Sequence, residues 1–136
     1  MRLVVLDTNV IVSAGINSVG PPAKIVFDWV MSGSVHLVIS PRVAAEYREV
    51  VRRAKFFHYG FPPLWLESLI EESTELPDSD SWPSACPDPK DTAFLALAHT
   101  AGAWLVTGNL KHFPESGRNG VTLISPGDYL AHLVGA

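Results

Sequence analysis

The first hydrophobic stretch, Leu3-Val4-Val5-Leu6, is continuous rather than alternating and stops at Asp7. That is the pattern of a strand covered on both faces, as in a parallel sheet. A Gly/Ser/Asn loop is expected over Ser13 to Gly20, after which Pro21-Pro22 opens a helix with Ile25, Val26, Trp29 and Val30 on one face and Gly33 as its stop. Val35 to Ile39 repeats the strand pattern, and Ser40-Pro41 then supplies an N-cap followed by a proline suited to the first helical turn. This second helix is predicted from about Pro41 to Ala54, with Val43, Tyr47, Val50 and Ala54 as its buried stripe. Pro62-Pro63 introduces a third helical stretch through Leu64, Leu66, Leu69 and Ile70 to about Leu76-Pro77, and residues 77–90, dense in Pro, Ser and Asp, read as surface loop. Asp91-Thr92 is placed to cap an apolar helix, Ala93 to Ala98, closed by Gly102 in the left-handed conformation. Ala103 to Val106 and Val121 to Ile124 form further strands, and Pro126 begins a final amphipathic helix through Tyr129, Leu130 and Leu133. Four apolar runs alternating with helices predict an α/β fold with a mainly parallel sheet. With no repeat and no linker, residues 1–136 are expected to form a single domain.

Composition sharpens this picture. Apolar types make up 47% of the 136 residues and charged types only 18%, below the roughly 25% usual for soluble domains. The net charge of −4 excludes a wholesale basic coat for nucleic acid. The single cysteine, Cys86, cannot form an internal disulfide, which suits a reducing compartment. No apolar run approaches the length of a membrane span, and Asp7 interrupts the opening run too early for a signal-peptide core. A soluble, cytoplasmic protein without membrane contact is expected. Four tryptophans and a mean hydropathy of +0.19 point to apolar surface covered by another subunit.

In open parallel sheets ligands bind beyond the carboxyl ends of the strands. The residues there are small or acidic: Asp7, Thr8 and Asn9 after the first run, Ser40 after the second, Thr107, Gly108 and Asn109 after the third, Ser125 after the last. An aspartate at such a strand end is rigidly held and suits a metal or phosphoryl group; its structural alternative is a turn residue. Glu46 sits about 40° from the apolar stripe of the second helix, so its carboxylate can be aimed at the sheet end or out to solvent. Capping accounts for Asp91 as a residue type but leaves Asp88, three positions earlier, unexplained. The five histidines have no metal-ligand spacing, and no Gly-rich phosphate loop or hydrolase nucleophile motif is present. Arg42, Arg48, Arg52, Arg53 and Lys55 are half of the basic residues, and the acidic run Glu67 to Asp80 follows them, which suggests a molecule with two poles. A basic helix would suit a phosphodiester backbone, with Arg42, Arg48 and Arg52 as candidate substrate-binding residues; a merely solvated helix face is the alternative. Phe56, Phe57, Tyr59, Phe61 and Trp65 adjoin it as stacking, core or subunit-contact residues.

Together, Leu3 to Val10 with its Asp7-Thr8-Asn9, Glu46 in the second helix, Asp88-Pro89-Lys90-Asp91 before an apolar helix, and Leu105 to Asn109 resemble the PIN-domain family over nearly the whole chain. These are small metal-dependent ribonucleases, many of them VapC-like toxins of toxin-antitoxin pairs. The resemblance implies a three-layer α/β/α sandwich in which Asp7, Glu46 and Asp91 are catalytic and hold Mg²⁺ or Mn²⁺. It implies supporting roles for Thr8 or Asn9, which would orient Asp7, for Thr107, and for Asp88 and Asn109. Many members carry a fourth aspartate where this chain has Asn109, so one tight ion with a weaker second is expected. The implied substrate is RNA, single-stranded or structured, and the implied partners are an antitoxin protein and a second copy in a homodimer.

Two other readings stand beside this one. A catalytically inert PIN-like module would keep the fold and only bind antitoxin or RNA. A phosphoryl-transfer domain would use Asp7 as nucleophile, although Asn9 stands where a phosphatase of that kind wants a second aspartate, and Thr107-Gly108 where a receiver domain wants a lysine.

Overall fold

The computed structural model describes residues 2–79, 82 and 89–135. Asp88 and Cys86, both singled out from the sequence, lie outside the described residues. Five parallel strands form one sheet in the order β3-β2-β1-β4-β5: β1 (Leu3–Leu6), β2 (His36–Ile39), β3 (Thr74–Glu75), β4 (Trp104–Val106) and β5 (Leu123–Ile124). The helices are α1 (Thr8–Ile16), α2 (Pro21–Val30), α3 (Pro41–Val51), α4 (Trp65–Glu72), α5 (Pro89–Ala101) and α6 (Pro126–Gly135). Helix α5 lies across β1, β2 and β4 and touches α3, while α1, α2 and α6 pack on one another, a three-layer α/β/α sandwich. Val4, Val5, Leu6, Val38, Leu105 and Val106 are wholly buried, which is why these strands read as unbroken apolar runs.

The strand order has one consequence for function. From β1 the chain runs outward through β2 to β3, then α5 returns it to the other side of β1 for β4 and β5. The reversal falls between β1 and β4, whose register pairs Leu6 with Val106. In such sheets the crevice outside the carboxyl ends at this switch point is where ligands bind, and here it is flanked by Asp7 and Thr107.

Several elements differ from the expectations. The predicted loop from Ser13 begins too early, because α1 starts directly after β1 and continues to Ile16. Its sequence, rich in Val and Ile, has little helix propensity, and Thr8, Val10, Ile11, Val12 and Ala14 are all buried, so only Asn9 and Ser13 mark a polar face. Helix α3 stops at Val51, since Arg53 is extended, and Ala54 is an exposed residue opening a 3₁₀ turn (Ala54–Tyr59) rather than part of the buried stripe. The third predicted helix is shorter than expected. It ends at Glu72, and Thr74 and Glu75 pair with Val38 and Ile39 as a fifth strand. Two exposed polar residues on a sheet edge carry no hydrophobic pattern to read. Helix α5 begins at Pro89, so Asp91 lies in its first turn and is not its N-cap. Gly102 does close it, with φ +65°. The final π-wound turns of α2 (Lys24–Val30) give way to Gly33 at φ +85°.

Candidate functional site

Asp7 combines three local roles. It ends β1, its backbone N–H donates to the Val106 carbonyl at 2.9 Å, and its extended backbone makes it the N-cap of α1. One carboxylate oxygen, Oδ1, accepts from the Thr8 N–H at 2.8 Å. The other, Oδ2, accepts from the Thr107 hydroxyl at 2.7 Å and from the Asn9 amide at 3.3 Å. Asn9 in turn accepts from the Gly108 N–H at 3.0 Å, so residues after β1 and β4 are stitched together across the switch point. Asp7 is only 5% exposed. Burial holds its carboxyl above the ordinary aspartate range, partly offset by the bonds from Thr107 and Thr8 and by the nearby His112.

The second carboxylate comes from α3. Ser40 caps this helix by accepting from the Val43 N–H at 3.3 Å. Tyr47, wholly buried, donates its hydroxyl to the Leu6 carbonyl and so ties α3 to the end of β1. Burial, with Asp7 nearby, keeps the Tyr47 phenol far above its ordinary pKa, a neutral donor at all working pH. Its neighbour Glu46 is 21% exposed and lies 3.9 Å from the Lys90 ammonium. Asp91, 14% exposed, lies 3.7 Å from Nδ1 of His112. Consecutive residues of α5 thus meet Glu46 on one side and His112 on the other. The His112 ring also contacts the Asn109 amide at 2.9 Å, and the Asn109 N–H donates to the Thr107 hydroxyl at 3.0 Å.

A groove of about 520 Å³ between α3 and α5 is lined by Arg42, Ala45, Glu46, Glu49, Lys90, Ala93 and Phe94. Of the three candidate arginines only Arg42 reaches it. Arg48 and Arg52 line a separate, smaller groove with Pro62, Pro63, Leu64 and Glu67. Arg48 makes a bidentate bond to Glu67, at 2.9 and 3.1 Å, and Arg53 pairs with Glu49. The basic and acidic runs therefore interleave here rather than forming two poles. Phe61 is buried, Phe56 and Trp65 pack against the core, and Phe57 and Tyr59 are exposed.

Do these residues suit a hard divalent ion? In kind they do. Carboxylate oxygens come from a strand end and two helices, as Mg²⁺ and Mn²⁺ prefer, and the Thr8 hydroxyl beside Asp7 is buried with no hydrogen-bond partner. In arrangement they are not drawn into one cluster: among the described residues no group of three or more His, Cys, Asp or Glu is placed to hold an ion. Glu46 faces Lys90 and Asp91 faces His112 instead, because carboxylates brought together repel and an adjacent cation or N–H lowers that cost. Sequence reasoning passed over His112 for lack of ligand spacing and did not consider Lys90. The cue in each case is position, one residue before Asp91 and three after Asn109.

Comparisons with known proteins agree with this fold. The family model described as PIN domain matches residues 3–111. The fold is similar to that of VapBC2 from Rickettsia felis, solved bound to a DNA fragment from its promoter, with 19% identity, TM-score 0.61, and coverage of 91% of this chain and 98% of that one. It is similar to FitAB bound to an IR36 DNA fragment (18% identity, TM-score 0.55, 90% and 94% coverage). It is also similar to PAE2754 from Pyrobaculum aerophilum (13% identity, TM-score 0.58, 100% and 91% coverage). No curated protein matches the sequence significantly. A family match over most of the length, on a fold in which Asp7 and Thr107 meet at the switch point, leads to one conclusion: the chain belongs to the PIN domain family.

Proposed function

We propose that this protein is a metal-dependent endoribonuclease that hydrolyses phosphodiester bonds in RNA, and that it is the toxin of a toxin-antitoxin pair. The observation supporting this most directly is the buried, doubly anchored Asp7 carboxylate at the β1/β4 switch point, after the strand that Tyr47 ties to α3, the helix whose Glu46 lines the α3/α5 groove. Asp7, Glu46 and Asp91 are the residues that would hold Mg²⁺ or Mn²⁺. When bound, the ion would polarise the scissile phosphate and lower the pKa of the attacking water. The chain's own contribution is orientation and charge. Thr107 and Asn9 fix Oδ2 of Asp7, and the Thr8 N–H fixes Oδ1, so that one geometry is presented without reorganisation. Arg42 and Lys90 place positive charge along the groove for the substrate phosphates, and Ala45, Ala93 and Phe94 offer an apolar floor for a base. Choice of RNA, an antitoxin protein as partner and a homodimer are carried by the family resemblance. The Asp7-nucleophile alternative loses its support with the family match.

Asp7→Asn keeps the shape and the cap while removing the charge. We expect it to lower Mn²⁺-dependent cleavage of single-stranded RNA by more than about 100-fold, measured on protein of equal purity by product release. Equal cleavage by both proteins would mark contamination and end the nuclease reading. An inert binding module, which the pairing of Glu46 with Lys90 and Asp91 with His112 favours, predicts RNA binding by both proteins and cleavage by neither.

A further inference from the structure

Residues 107–112 touch both ends of the acidic site through a single chain of polar contacts. The Thr107 hydroxyl donates to Asp7 Oδ2 (2.7 Å), and the same hydroxyl oxygen accepts from the Asn109 N–H (3.0 Å). The Asn109 side chain then meets Nε2 of His112 (2.9 Å), and the opposite ring nitrogen, Nδ1, faces Asp91 Oδ2 (3.7 Å). Electrostatics orders this chain. A ring nitrogen presenting its lone pair to the Asp91 carboxylate is repelled, and one presenting N–H is attracted. A neutral His112 with Nδ1–H has its lone pair on Nε2, and the Asn109 NH₂ is a donor that fits it.

We propose that Asn109 is a positioning residue that sets the tautomer of His112, so that His112 presents Nδ1–H to Asp91 while Thr107 holds Asp7. In this role Asn109 is not a neutral substitute for a fourth carboxylate ligand. Its amide is committed to the ring of His112, and its backbone to Thr107. The segment acts as one strap that fixes the spacing of Asp7 and Asp91. Its link to metal binding rests on the nuclease reading above; its tautomer does not.

The two parts separate by experiment. Long-range ¹H–¹⁵N spectra of the metal-free protein, taken at alkaline pH where the spectra themselves show a neutral ring, report the tautomer, with His112→Gln assigning the signal. The expected result is Nδ1–H for His112 and a change to Nε2–H in Asn109→Ala. A wild-type His112 carrying Nε2–H, or a tautomer unmoved by Asn109→Ala, overturns the proposal. His112 is 53% exposed on its side chain, so neither variant should compromise folding. In calorimetric Mn²⁺ titrations Asn109→Ala and His112→Ala should each weaken affinity by about tenfold. The double variant should be no weaker than either single one, since both act through Asp91. Unchanged affinity in His112→Ala, with Asp91→Ala weakened, overturns the strap's role. Unchanged affinity in Asp91→Ala instead removes the metal reading and leaves the tautomer result standing.

Discussion

A carboxylate that caps a helix in contact with water stabilises the fold; Asp7 caps α1 while nearly excluded from water, and the two effects oppose each other. Its bonds to Thr8 and Thr107 favour the charged form, and desolvation, the largest effect, disfavours it. The folded-state pKa is therefore raised above the unfolded value, so ionised Asp7 costs stability at neutral pH. That cost is about 1.4 kcal/mol for each unit of difference. Asp7→Asn retains an N-cap and removes the pH-dependent cost, but its amide nitrogen cannot accept from Thr107 and Asn9 as Oδ2 does, a loss independent of pH. Relative to this metal-free variant, wild type should gain stability as pH falls through the raised folded value and level off below the ordinary aspartate value of about 3.9. Urea unfolding of both proteins across that range checks this; a relative stability of wild type that stays constant or falls on acidification contradicts it. A site residue whose charge costs the fold stability is one retained for another reason.

At the scale of elements, the position of α3 relative to β1 decides where Glu46 stands. The helix is started by the Ser40 cap and Pro41 and registered by Tyr47, whose hydroxyl satisfies the Leu6 carbonyl and whose ring lies 6.3 Å from that of Phe94 on α5. One buried side chain thus joins β1, α3 and α5, the elements that carry the three carboxylates. Tyr47→Phe keeps the packing but leaves the Leu6 carbonyl without this donor, and should cost about 1–3 kcal/mol by urea unfolding. A loss below about 0.5 kcal/mol would mean that the Leu6 carbonyl is satisfied otherwise and that the tether is dispensable. The salt bridge of Arg48 with Glu67 also joins elements, α3 to α4, but both side chains are well exposed, so it contributes little.

For the whole molecule, where charge lies matters more than its sum. The net −4 is compatible with an RNA substrate if local charge at the groove dominates, because screening confines each charge to about 10 Å. Arg42 and Lys90 border the α3/α5 groove, whereas Arg48 and Arg52 lie on another. Binding of single-stranded RNA to the Asp7→Asn protein should weaken with log salt concentration. Arg42→Ala or Lys90→Ala should each flatten that slope by about 0.7, while Arg48→Ala and Arg52→Ala leave it unchanged. Fluorescence anisotropy over a salt series distinguishes the two sets; flattening by Arg48→Ala would move the substrate path to the other groove.

The sequence alone determined the elements whose pattern reflects burial. Strands covered on both faces must be continuous apolar runs, so β1, β2 and β4 were legible, as were helices announced by Ser40-Pro41 and Pro126 and the closure at Gly102. The same reading made Asp7 a candidate, because ligands of open parallel sheets bind beyond the carboxyl ends of the strands. Elements whose pattern is erased by their surroundings were not legible: α1, mostly buried and apolar apart from Thr8, Asn9 and Ser13, and β3, two polar residues recruited by the edge of β2. Only the tertiary structure decided that Asp7 and Thr107, a hundred residues apart, share the switch point, since strand order is a property of packing and not of any local pattern. It alone directed Glu46 to Lys90 and Asp91 to His112, because charge pairing acts through space and periodicity along a helix records only which face is apolar.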